Sequence, residues 1–167
     1  MFELKRLSTD AIPAALAQAE RYRLLNEPVE AESICLDVLR IDPEHQEAIV
    51  TLVLALTDQF SDGPVARPMA AAEAAVTRLR DSYKRLYYSG IIRERRGKAE
   101  LRRDHPGSSR SVREWLQEAM TSYEAAEAIR PAGIDEAILR WNACARILTD
   151  LPTSEPDIPA FHGVHSE

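Results

Sequence analysis

The sequence predicts an all-α fold assembled from antiparallel helix pairs, and three observations carry that expectation. The 167-residue chain is 45% hydrophobic and alanine-rich, with only 6% aromatics and 6 glycines, a balance that suits packed helices better than strands joined by tight turns. No stretch alternates apolar and polar residues at the period of two that a half-buried strand requires. Apolar residues recur instead at spacings of three and four, and prolines punctuate the runs. One core of this size needs no disulfide or metal to hold it.

Residues 1–11 read as a lead-in. A first helix then runs from Pro13 to Leu25, after the cap candidates Ser8, Thr9 and Asp10. A second begins at Pro28, which suits a first helical turn, and stops before Pro43. Ala15, Ala19 and Tyr22, then Ala31, Cys35 and Val38, fall on single helical faces, so residues 12–45 form a hairpin. A second pair occupies 46–82, with Glu47 to Leu56 in step with the first pair and a partner helix from Pro68 to Arg80 beyond the loop Asp58 to Arg67.

The third pair, 83–133, opens with Leu86-Tyr87-Tyr88-Ser89-Gly90 and closes with Ala119, Tyr123 and Ala126 ahead of Pro131. Ser111-Val112-Arg113-Glu114 reads as a capping box, which starts the closing helix at Val112, more than a turn earlier than its counterpart in the first pair. An antiparallel partner must lengthen equally. The opening helix is therefore expected to pass through Gly97 towards Arg103, with Asp104 to Arg110 as the tip; the alternative is a turn at Gly97 followed by a short separate helix. A last helix at 134–149 places Ala137, Trp141, Ala145 and Leu148 on one face and has no successor, as a stack-closing cap requires. Residues 151–167 hold Pro152, Pro156 and Pro159 but no lysine or arginine, and are expected to form a flexible tail.

This pattern resembles the tetratricopeptide repeat (TPR), a 34-residue helix-turn-helix with a small residue shortly before an aromatic, then Ala-x-x-x-aromatic, then Pro. Ile12 to His45 spans 34 residues and contributes Ala19-x-x-Tyr22, Ala31-x-x-x-Cys35 and Pro43; the third pair contributes Ala119-x-x-x-Tyr123 and Pro131. The resemblance implies a right-handed α-solenoid of about three repeats, 12–45, 46–82 and 83–133, with the cap at 134–149. It further implies a protein-binding module whose first helices line a concave groove. Carried over by register, that groove would present Leu16, Glu20, Arg23, Val50, Leu54, Asp58, Tyr87, Ile91 and Glu94, with Ile138 and Asn142 from the cap. Its apolar and aromatic character would suit a peptide or helix with hydrophobic anchors. Of the adjacent Tyr87 and Tyr88, one must face the core. One branch of the family clamps a carboxylate with groove lysines and asparagines; Leu16, Glu20, Val50 and Leu54 stand in those places here and argue against that use.

Charge adds a second candidate surface. Lys84 to Arg103 holds eight basic residues against Glu94 and Glu100, a net +6 in a chain whose total is −6. Arg95, Arg96, Lys98, Arg102 and Arg103 would form a patch for an acidic protein or for nucleic acid, or a solvated helix face. No aromatic stacking platform is interleaved with these charges, and the acidic total disfavours nucleic acid and anionic membranes. Self-association through the groove or cap is a further alternative, as is occupation of the groove by Pro156 to Phe161 of the tail.

No sequence feature points to catalysis or to a cofactor. There is no phosphate-cradling glycine loop, no Gly-x-Ser-x-Gly and no His-Glu-x-x-His, and His162-Gly163-Val164-His165 sits in the tail without a cysteine nearby. Cys35 and Cys144 lie apart within apolar helical patterns and read as buried, reduced thiols. With neither a leader-like start nor a membrane-length apolar run, the expected location is the cytoplasm.

Overall fold

The computed structural model describes residues 2–103 and 108–152, and every regular element among them is helical. The described α-helices are α1 (Ile12–Leu24), α2 (Pro28–Ile41), α3 (Gln46–Asp58), α4 (Ala66–Thr77), α5 (Ser82–Arg103), α6 (Ser108–Ala128) and α7 (Glu136–Asp150), with short 3-10 turns at Thr9–Ala11 and Gln59–Ser61. Each helix packs on its neighbours in the chain, and α3 also packs against both α1 and α5. The first members of the three pairs therefore lie side by side, giving a repeat-like all-α fold.

Local chemistry explains the boundaries. At the end of α1, Asn26 adopts φ 60°, a left-handed conformation that asparagine tolerates, and Pro28 starts α2 two residues later. His45 caps α3, its Nδ1 accepting from the Ala48 amide at 3.2 Å. Gly133, at φ 80°, turns the chain between α6 and α7. Several limits differ from the sequence expectation: α4 runs from Ala66 to Thr77 instead of Pro68 to Arg80, α7 starts at Glu136 instead of 134, and α6 starts at Ser108, which places Ser111 and Glu114 inside the helix. Val112 is fully buried along the α5/α6 seam, so a preceding turn is needed to support it. Of the hairpin tip expected at Asp104 to Arg110, residues 108–110 belong to α6 and 104–107 lie outside the described residues, as do 153–167 of the expected tail 151–167, with His162 and His165.

α5 is unbroken through Gly97, and its 22 residues pair with the 21 of α6 along their length. Gly90 permits that approach, because a Cβ there would fall 2.7 Å from Tyr123 Cδ1 and 2.9 Å from Cζ, and closer still to Cε1. α5 also separates two hydrophobic clusters. Ile92 and Ala99 join the core built by α1 to α4, whereas Tyr83, Tyr87 and Ile91 join the core shared with α6 and α7. Tyr87 is the buried member of the Tyr87–Tyr88 pair and Tyr88 is half-buried; Tyr83 and Tyr87 stack at 5.9 Å between ring centroids.

Candidate functional site

The expected groove residues divide between core and surface. Leu16 and Ile91, 3% and 1% exposed, are core side chains, and Tyr87 is enclosed among Tyr83, Tyr88 and Tyr123. None of the three offers an anchor to a partner, because Leu16 packs into the core of α1 to α4 and Tyr87 and Ile91 pack into the core shared with α6 and α7. Val50 and Leu54 are half-buried against the two cores. Ile138 and Asn142 sit apart, in a shallow hollow with Trp141, Glu124 and Glu127 of the α6/α7 face. Glu20 is exposed and accepts from Thr51 Oγ1 at 3.2 Å.

What the inner helices do bring together is charge. Asp58 ends α3, where the helix dipole disfavours a carboxylate, and two guanidinium groups offset that cost. Arg23 of α1 donates its Nε–H to Asp58 Oδ2 at 2.8 Å. Arg95 of α5 donates from Nη1 to Asp58 Oδ1, to Thr57 Oγ1 at 2.7 Å and to the Leu54 carbonyl at 3.2 Å. Next to Arg95 on α5, Glu94 is 1% exposed and accepts from the Tyr123 hydroxyl at 2.5 Å, from Lys98 Nζ, and from Arg140 Nη1 of α7 at 3.4 Å. Each of the two carboxylates is thus shared by two cations.

These groups line a cleft of about 490 Å3 together with Leu24, Asn26, Ser61, Asp62 and Arg102. Five cations, Arg23, Arg95, Lys98, Arg102 and Arg140, face three carboxylates, Asp58, Asp62 and Glu94, which leaves a formal surplus of two positive charges. Burial pulls the Arg95 guanidinium below its ordinary pKa; Asp58 opposes this, while Arg23 and Arg140 add to it by repulsion. An added anion would relieve that repulsion.

The basic stretch does not act as one patch. Arg95, Lys98 and Arg102 enter the cleft. Arg96 instead bonds Glu100 at 2.6 Å and stands 5.7 Å over the Trp115 ring, and Arg103 donates to the Gly63 carbonyl at 2.8 Å, fastening the loop before α4. Arg95, Lys98 and Arg102 recur at helical spacings, and that common face was legible in the sequence. Arg140 was not, because its partner Glu94 is 46 residues away and no local spacing signals the contact. A second hollow, about 650 Å3, lies by Pro28, Val29, Pro64 and Pro68, and no motif in the sequence marks it.

No protein-family model, curated protein or solved structure matches the chain. Among the described residues no cluster of histidine, cysteine and carboxylate side chains could hold a metal ion, and no helix is long and apolar enough to cross a membrane.

Proposed function

We propose that this protein is a cytoplasmic interaction module that binds an acidic segment of a partner protein in the cleft where α1, α3, α5 and α7 converge. It acts by binding and not by catalysis. The observation that carries the reading is the cleft's surplus of cations over carboxylates in a recessed, partly desolvated setting, where ion pairs are weakly screened. The side-by-side placement of α1, α3 and α5 supports a TPR-like right-handed solenoid, in which the first helices of successive repeats form the binding side. An acidic segment fits better than the apolar one expected by register, since Leu16, Tyr87 and Ile91 are enclosed in the cores. Nucleic acid fits less well: Arg96 and Arg103 are drawn away from the cleft, which breaks the basic track a phosphodiester backbone would follow.

Fluorescence anisotropy with a labelled Asp/Glu-rich peptide tests the proposal. The peptide should bind more tightly than a Gln-substituted counterpart, and its affinity should fall as salt is raised. Arg102→Glu, a change at an exposed position, should weaken binding by about tenfold while leaving helicity unchanged. Equal binding of the acidic and neutral peptides would sink the idea.

A further inference from the structure

The chemistry of the cleft specifies more than a preference for acidity. Arg95 spends only Nη1 on protein acceptors, and so does Arg102, whose Nη1 donates to Ser61 Oγ. Among the described residues, the Nε–H and Nη2 groups of both side chains, and Nη2 of Arg23, have no acceptor. Two of the cleft's three carboxylates are already engaged, since Asp58 and Glu94 receive two and three side-chain donors. The cleft is therefore rich in unused donors and short of two negative charges.

A carboxylate would bring one charge and two oxygens, meeting half of that deficit. A phosphomonoester brings about −1.5 to −2 at neutral pH and three strong acceptor oxygens, the combination that clustered arginines bind best. The repulsion it would meet from Asp58 and Glu94 is offset, because each is held by two cations, and the charge of Asp62 is already counted in the surplus of two. Depth is graded in the same sense: the Arg23 and Arg95 side chains are 15% and 24% exposed, Arg140 is 40% exposed, and Arg102 lies at the open rim.

We propose that the cleft is a phosphomonoester site in which Arg95, Arg140 and Lys98, with Arg102 at the rim, receive a phosphorylated side chain of the acidic partner segment. The proposal rests on the acidic-segment reading and names the group that the segment must carry.

The test uses the full chain and three versions of one acidic peptide, carrying phosphoserine, glutamate or serine at a central position, titrated by anisotropy and calorimetry. The phosphoserine peptide is expected to bind about tenfold or more tighter than the glutamate peptide. Its advantage should grow between about pH 5 and pH 7, as the phosphate takes up its second charge near pH 6, whereas the glutamate peptide should vary little. Arg102→Gln should cost the phosphopeptide about three- to tenfold, and Arg110→Gln, at an exposed arginine outside the cleft, should cost nothing. Equal affinity of the phosphoserine and glutamate peptides would overturn the phosphate assignment and leave the acidic-segment reading standing; no binding of any acidic peptide would overturn both. Inorganic phosphate that binds as tightly as the phosphopeptide would overturn the partner-borne source in favour of a free anion. Stronger binding of a single-stranded oligonucleotide than of the phosphopeptide would overturn the protein partner.

Discussion

Replacing Gly90 with alanine sets two opposed effects against each other at one atom. A glycine inside a long helix forfeits about 1 kcal/mol of intrinsic stability relative to alanine, so the substitution should help α5 taken alone. The new Cβ would, however, overlap the ring of Tyr123, which is 0% exposed and has no free volume to enter. Overpacking of this kind costs about 1–3 kcal/mol. Displacing the ring also stretches the 2.5 Å hydrogen bond from the Tyr123 hydroxyl to the buried Glu94, and a bond to a charged acceptor is worth about 1.5–3 kcal/mol. The net expectation is destabilisation by about 2–5 kcal/mol, or roughly 5–15 °C in Tm. Gly97→Ala is the internal control, because its Cβ would meet Trp115 Cβ at 3.1 Å and Leu116 Cδ2 at 3.3 Å, distances that small side-chain shifts can accommodate. That variant should stay within about 1 kcal/mol of the parent. Urea unfolding followed by circular dichroism measures both. A Gly90→Ala protein as stable as the parent would refute the close α5/α6 approach.

Three further expectations follow from the ion pairs and the thiols. Arg67 donates to Glu32 through Nη1 at 2.8 Å and Nη2 at 3.0 Å, and Gln59 donates at 2.7 Å; the Arg67 bonds are the main reason this carboxyl titrates below its ordinary range, with burial opposing them. Its contribution is therefore complete above the unfolded value of about 4.3 and is lost as pH falls through the lower folded value. Glu32→Gln should cost about 1–2 kcal/mol at neutral pH, and denaturation at a series of acid pH values should show the gap closing. Asp58→Asn should lower stability by about 1–3 kcal/mol, since Arg23 and Arg95 lose their shared counter-ion, yet tighten the binding of an acidic peptide because a competing carboxylate is gone. Weaker binding by this variant would count against the cleft. Cys35 and Cys144 are fully enclosed, and burial foremost pushes both thiols up to about 12, so neither should react with a thiol reagent near pH 8 until the protein is unfolded.

The helix pairs were legible because their signals are local. Pro28 opens α2, Asp42 and Pro43 end it, and spacings of three and four mark the buried faces of α1, α2 and α6. The passage of α5 through Gly97 followed from a length argument: the long run ahead of Ala119 needed an equally long partner. The character of the inner surface was not legible in the same way. Whether Leu16 and Ile91 face a partner or a core depends on how α1 packs on α2 and α3 and how α5 packs on α6, which no single helical window encodes. The contacts that build the charged cleft join residues 35, 37 and 46 positions apart, so the pairing of Arg23 and Arg95 with Asp58, and of Arg140 with Glu94, emerges only in three dimensions. Composition located the basic stretch, but folding divided it between a cleft, a tryptophan ring and a loop.

α5 gives its Ile92 and Ala99 to one hydrophobic cluster and its Tyr83, Tyr87 and Ile91 to the other. In a linear array, the free energy that couples one unit to the next passes through whatever lies at their boundary, and here that boundary is a single helix. Loss of either half strips one apolar face of α5 and withdraws the support that keeps it helical. The amides from about Gly90 to Ala99 are then expected to be among the slowest to exchange with solvent, which hydrogen exchange would measure. Repeat-like parts that share a helix in this way are expected to unfold in a coupled manner.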